Sequence, residues 1–151
     1  MNSIKYQCNS IEDTVRLGRS IGSKLEGGEV LELISDLGGG KTTFTRGLAG
    51  GFGSSDPVSS PSFTISYVYG RSDGKKMYHF DFYRLEDAGI VGNELSEVEN
   101  DDSVVTVVEW GDIVHDILPK DRVVVHIKNI DETTRELIFG FTDKYSRLFM
   151  Y

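Results

Sequence analysis

The stretch Ser35-Asp36-Leu37-Gly38-Gly39-Gly40-Lys41-Thr42-Thr43 constrains this chain's fold more than any other feature. An apolar run (Val30, Leu31, Leu33, Ile34) precedes it and reads as a buried strand. Phe44, Arg46, Leu48 and Ala49 follow it and predict a helix that stops at Gly50-Gly51. Strand, glycine-rich turn, Lys-Thr and helix together make the context of a phosphate-binding P-loop. A turn of that shape points several backbone N–H groups into one concavity, and the next helix aims its positive end at the same spot. Glycines at 38 to 40 permit the tight turn and the close backbone approach to phosphate. Lys41 is then expected on the β- and γ-phosphates of a nucleotide, and the Thr42 hydroxyl on Mg²⁺. Asp36, Leu37, Gly38, Gly39, Gly40, Lys41, Thr42 and Thr43 are the candidate nucleotide-binding residues. The bland alternative is a glycine turn joining an ordinary strand to an ordinary helix.

The full pattern, G-x-x-x-x-G-K-[ST], begins here with Ser35. If that position requires φ > 0, serine costs about 1–2 kcal/mol of backbone strain and weakens nucleotide binding.

Composition narrows the function classes. A formal charge of −8 argues against bulk electrostatic binding of nucleic acid. The lone cysteine, Cys8, excludes an internal disulfide and suits a reducing cytosol, so a cytoplasmic protein is expected. No apolar run reaches membrane-spanning length. The 151 residues read as one domain, with a tail from about residue 144 that could fray.

In chain order, a first strand is expected around Ile4 to Gln7. A helix capped by Ser10 follows, with Ile11, Val15, Leu17, Ile21 and Leu25 on its apolar face. Thr64 to Tyr69 and Met77 to Tyr83, joined at Asp73-Gly74, predict a hairpin and hence a partly antiparallel sheet. The acid-rich segment from Glu86 to Asp102 reads as holding a short helix with a solvated face, and the residues around Asp131 as a turn between two strands.

Two acids stand out. Asp81 lies in an aromatic strand, where a carboxylate is costly to bury unless it meets a cation or a metal-bound water. Beside phosphates it would order a metal water or the attacking one; otherwise it pairs with Arg84 or a backbone amide. Glu109 ends the buried strand Val104-Val105-Thr106-Val107-Val108, where ligands of an open α/β sheet gather. That is the place of an acid that ligates Mg²⁺ directly or through water. Trp110 is either core or a contact at the rim of the site. His79 reads as a packed strand residue with no chemistry.

These motifs resemble the TsaE family. The resemblance rests on Asp36 to Leu48, on Ser60-Pro61-Ser62-Phe63-Thr64, on His79-Phe80-Asp81-Phe82-Tyr83-Arg84-Leu85 and on Val108-Glu109-Trp110. Ser35, Gly39 and Ser62 depart from the family's usual glycine, alanine and threonine. The resemblance implies an α/β P-loop NTPase-like fold, a mixed central sheet flanked by helices, with ATP and Mg²⁺ as cofactors. It implies Thr42 and Glu109 as metal ligands, Lys41, Asp81 and Glu109 as the catalytic set, and Ser60 to Thr64 as a switch-like loop. It further implies a weak ATPase that acts on the TsaB–TsaD complex, which modifies adenosine 37 of tRNA, with tRNA met only indirectly. A nucleotide-binding module without hydrolysis and a small-molecule P-loop kinase are the alternatives.

Overall fold

All six residues of the strand Val104–Glu109 are buried, as a run of four valines dictates: β-branched side chains favour extended backbone, and no polar face alternates with them. The computed structural model describes residues 1–35, 40–58, 66–82 and 89–150. Their elements run β1 (Asn2–Cys8), α1 (Ile11–Gly22), β2 (Val30–Ile34), α2 (Lys41–Phe52), β3 (Ser66–Gly70), β4 (Lys76–Asp81), α3 (Gly89–Glu99), β5 (Val104–Glu109), β6 (Val123–Asn129) and β7 (Arg135–Phe141). Short 3₁₀ helices follow β5 (Gly111–Val114) and β7 (Asp143–Phe149).

The strands form one seven-stranded mixed sheet in the order β1-β7-β6-β2-β5-β4-β3. The four central strands, β6, β2, β5 and β4, are parallel. Antiparallel partners close both sides, β3 beside β4 and β7 with β1 beside β6. The expected α/β architecture and the β3–β4 hairpin are therefore present. At the hairpin turn Gly74 has φ +90°, and Asp73 accepts from the Arg71 guanidinium and from Lys75 N–H, which holds its carboxyl down to about 2.

Side chains alternate across the sheet and build two cores. Leu31, Leu33, Val105 and Val107 pack with Ile21 of α1 and Phe44 and Leu48 of α2. Val30, Phe80 and Val108 pack on the other face with Leu95 of α3 and with Val114 and Leu118. Each such fully buried aliphatic side chain contributes about 1.5–3 kcal/mol.

The two helices beside the loop differ in detail from the sequence expectation. Ser10 caps α1 as expected, accepting from Asp13 N–H at 3.1 Å, while Asp13 accepts from Asn9 N–H. The buried face is Thr14, Gly18, Ile21 and Gly22, and Ile11 is exposed. The rotation has a steric cause. A Cβ on Gly18 would lie 2.5 Å from the Phe44 carbonyl oxygen, and one on Gly22 2.2 Å from that of Leu48. The same contact explains why α2 does not stop at Gly50-Gly51. A Cβ on Gly51 would lie 2.1 Å from the Arg19 carbonyl oxygen, so this glycine serves helix–helix approach and leaves termination to Gly53, at φ +107°. Where the sequence suggests a frayed tail, Asp143–Phe149 is helical, with Tyr145, Leu148 and Phe149 buried.

Candidate active site

The carboxyl ends of the parallel strands stand level. Glu109 of β5 is in register with Leu33 of β2 on one side and with Asp81 of β4 on the other. Ser35 follows β2 directly, and Lys41 opens α2, so both arrive at the same end of the sheet. Gly40 is the N-cap of α2 at φ +98°, a backbone that strains any L side chain, and a Cβ there would also sit 3.4 Å from Arg135 Nε.

Lys41 is buried at 7% exposure. Its ammonium donates to the Ser35 carbonyl at 3.2 Å and lies 3.9 Å from Glu109 Oε1. The ring centroid of Trp110 is 4.7 Å away. A carbonyl, a carboxylate and an aromatic face are thus among the neighbours of the ammonium. The Lys41 carbonyl in turn accepts from the Thr45 hydroxyl at 2.8 Å, inside α2.

Ser35 is not strained. Trp110 is the non-glycine residue with positive φ among the described residues, so the condition on which a serine penalty would rest is not met.

Glu109 is 3% exposed. Its Oε2 lies 2.5 Å from His79 Nε2. His79 is fully buried, and its Nδ1 meets the Tyr69 hydroxyl at 3.4 Å. The sequence reading gave His79 no chemistry, and the only available signal was its i, i+2 spacing to Asp81, which places both on one face of β4. Two other buried acids are answered by guanidinium groups instead, Glu29 by Arg147 at 2.6 Å and Glu32 by Arg122 at 3.0 Å. Burial pushes the Tyr69 hydroxyl up to about 12, helped by the nearby Tyr67 and Glu109.

Lys41, Asp81, Glu109 and Trp110 therefore meet at one end of the sheet, with Thr42 and Thr43 half-buried in the first turn of α2. Asp36, Leu37, Gly38, Gly39, Ser60 and Thr64 lie outside the described residues. Among the described residues no group of three or more His, Cys, Asp or Glu side chains is placed to hold a metal. The oxygen donors here, Asp81 and Glu109 at strand ends and Thr42 in the first turn of α2, are of the kind that would suit Mg²⁺, which binds few protein ligands and completes its shell with phosphate and water. A separate cavity of about 250 Å³ lies between β1, α1 and the tail, lined by Tyr6, Cys8, Leu17, Ile21 and Leu148 among others, and shares no residue with this cluster. No described helix is long and apolar enough to cross a membrane.

Comparison with known proteins gives the family. The family model described as "Threonylcarbamoyl adenosine biosynthesis protein TsaE" matches residues 8–137. The tRNA threonylcarbamoyladenosine biosynthesis protein TsaE of Bacillus subtilis (strain 168) is 35% identical over 144 residues, covering 92% of this chain and 86% of the relative. That of Treponema pallidum (strain Nichols) is 37% identical over 132 residues, covering 85% and 93%. The crystal structure of Bacillus subtilis YdiB superposes with a TM-score of 0.77 at 30% identity, over 97% of this chain and 91% of that one. On the family match, the relatives and the shared fold, the chain belongs to the TsaE family.

Proposed function

We propose that this chain serves tRNA threonylcarbamoyladenosine biosynthesis as an ATP-binding, weakly hydrolysing subunit that acts on the TsaB–TsaD complex. The observation that carries the reading is the placement of Lys41. A buried ammonium opens a helix at the carboxyl ends of parallel strands, with the acids Asp81 and Glu109 in register beside it. A primary ammonium at the start of a helix, at the carboxyl ends of parallel strands, is chemically suited to anionic phosphate oxygens. Lys41 binds the β- and γ-phosphates, and the N–H groups at the start of α2 add partial positive charge.

Thr42 and Glu109 would hold Mg²⁺, which would neutralise phosphate charge when bound. Asp81, level with Glu109, orders water at the phosphate end and accepts its proton. Trp110 covers the Lys41 side and limits access of bulk water, which strengthens charge interactions beneath it. The family's place in tRNA modification supports an activity coupled to a partner.

The test is phosphate release from ATP by the chain alone and with an added TsaB–TsaD pair. Slow release that the pair changes supports the reading. ATP binding with no release in either mixture leaves a binding module, and transfer of labelled phosphate to a metabolite would identify a kinase.

A further inference from the structure

We propose that Tyr69 and His79 are positioning residues for the loop site: they hold Glu109 by one carboxylate oxygen so that the other faces Lys41. The register of the sheet builds the arrangement. His79 of β4 stands opposite Val107 of β5, and Glu109 is two residues further along the same face. The imidazole therefore reaches the carboxylate diagonally, Nε2 to Oε2 at 2.5 Å, while Oε1 lies 3.9 Å from Lys41 Nζ. A carboxylate only accepts, so Nε2 carries the hydrogen. In the neutral ring Nδ1 then presents a lone pair, and the Tyr69 hydroxyl of β3 donates to it across 3.4 Å. Tyr69 and His79 also keep their rings in contact, with centroids 6.2 Å apart.

Tyr69, His79 and Glu109 are respectively 2%, 0% and 3% exposed, on a sheet face otherwise made of Leu31, Leu33, Val105, Val107 and Met77. Packing alone would be met by apolar side chains without the desolvation cost of three polar groups. What the polar chain supplies is orientation. The terminal torsion of a glutamate is broad, and a hydrogen bond to one oxygen from a fully packed ring fixes it. Carboxylates that bind metals are oriented in this way by neighbours that never touch the ion, and loss of such neighbours typically costs about 10–100-fold in metal affinity or activity.

The Mg²⁺ part of the inference rests on the nucleotide reading above; the hold on Glu109 does not. The experiment has one arm for each. In the ligand-free protein, ¹H–¹⁵N spectra of the imidazole should show His79 protonated at Nε2 and that proton protected from exchange. An Nε2 without hydrogen, or in fast exchange, overturns the proposal whatever the protein binds. In the second arm, ATP affinity is measured in Mg²⁺ and in EDTA. His79→Leu should lower the Mg²⁺-dependent gain by about 10-fold or more, and Tyr69→Phe by about 3-fold, with affinity in EDTA unchanged. His79→Gln retains an N–H donor and should recover most of the gain, which a packing role does not predict. A folded His79→Leu with the wild-type Mg²⁺ gain, or with equal losses in Mg²⁺ and EDTA, overturns positioning. If His79→Leu does not fold, a wild-type gain in Tyr69→Phe together with a full loss in His79→Gln does the same. Wild-type protein that binds no ATP in either medium instead overturns the nucleotide reading, and the spectra alone then decide the hold on Glu109.

Discussion

Trp110 lays its ring 4.7 Å from the Lys41 ammonium by adopting a left-handed backbone, φ 56° and ψ 49°, immediately after Glu109. A bulky residue in that region costs about 1–2 kcal/mol, and such strain persists where the surroundings over-determine it. Alanine at this position keeps most of that backbone cost, whereas glycine does not. Trp110→Gly should therefore be more stable than Trp110→Ala by about 1 kcal/mol, measured by urea unfolding followed by circular dichroism. The opposite order would mean the backbone relaxes out of the left-handed region once the ring is gone.

Lys41 and Glu109 are coupled as well as adjacent. Lys41→Ala should abolish ATP binding in a calorimetric titration. It should also destabilise the ligand-free protein by about 1–3 kcal/mol, because Glu109, 3% exposed, loses its nearby cation. Adding Glu109→Gln to Lys41→Ala should restore part of that loss. Independent, additive losses would show that the two charges do not interact.

Asp81 and Glu109 share a register position, and the roles proposed for them differ. Glu109→Gln should weaken ATP binding mainly when Mg²⁺ is present. Asp81→Asn should keep Mg-ATP affinity within a few-fold and reduce turnover by about 10²–10⁴-fold. Parallel loss of binding and turnover in both variants would remove the distinction.

Ser35 carries no positive φ, so glycine has no strain to relieve there. Ser35→Gly should leave ATP affinity unchanged within about 2-fold, since its contact to Lys41 is made by the main-chain carbonyl. Isothermal titration of the two proteins decides it; a large gain on substitution would mean that serine obstructs the loop.

Tyr69 gives an alkaline signature. Its hydroxyl is raised from 10.0 to about 12 in the folded protein, chiefly by burial. Between those values the unfolded chain releases a proton that the folded chain retains, so stability is complete below pH 10 and falls as pH rises towards 12. The loss by pH 12 is on the order of 2 kcal/mol. Tyr69→Phe should flatten the stability profile over that window in urea titrations at graded pH. An equally steep fall in the variant would assign the effect to other groups.

Local chemistry was legible in the sequence wherever one segment determines its own conformation. The Ser10 cap, the Asp73-Gly74 turn, the valine strand, and the strand β2 and helix α2 on either side of the glycine-rich stretch all have short-range causes. What the sequence did not reveal depends on pairing between distant segments. His79 and Glu109 are thirty residues apart, and only the β4–β5 register brings them within 2.5 Å. The buried face of α1 and the true end of α2 were hidden for the same reason. Gly18, Gly22 and Gly51 register as breaks in a helical pattern until the partner helix is in place. Ser35 misleads in the other direction, since its motif position suggested a positive φ that Ser35 does not have.

The glycine seam between α1 and α2 also bears on how force can pass through the molecule. Carbonyl oxygens of each helix sit where a Cβ of the other would be, from Val15 and Arg19 on one side and from Phe44 and Leu48 on the other. Main chains interlocked at that range cannot slide past one another by a fraction of a turn without collision. The pair therefore behaves as one stiff lever with the Lys41 ammonium at its tip. A load on α1 would reach α2 through main-chain contact as well as through side chains.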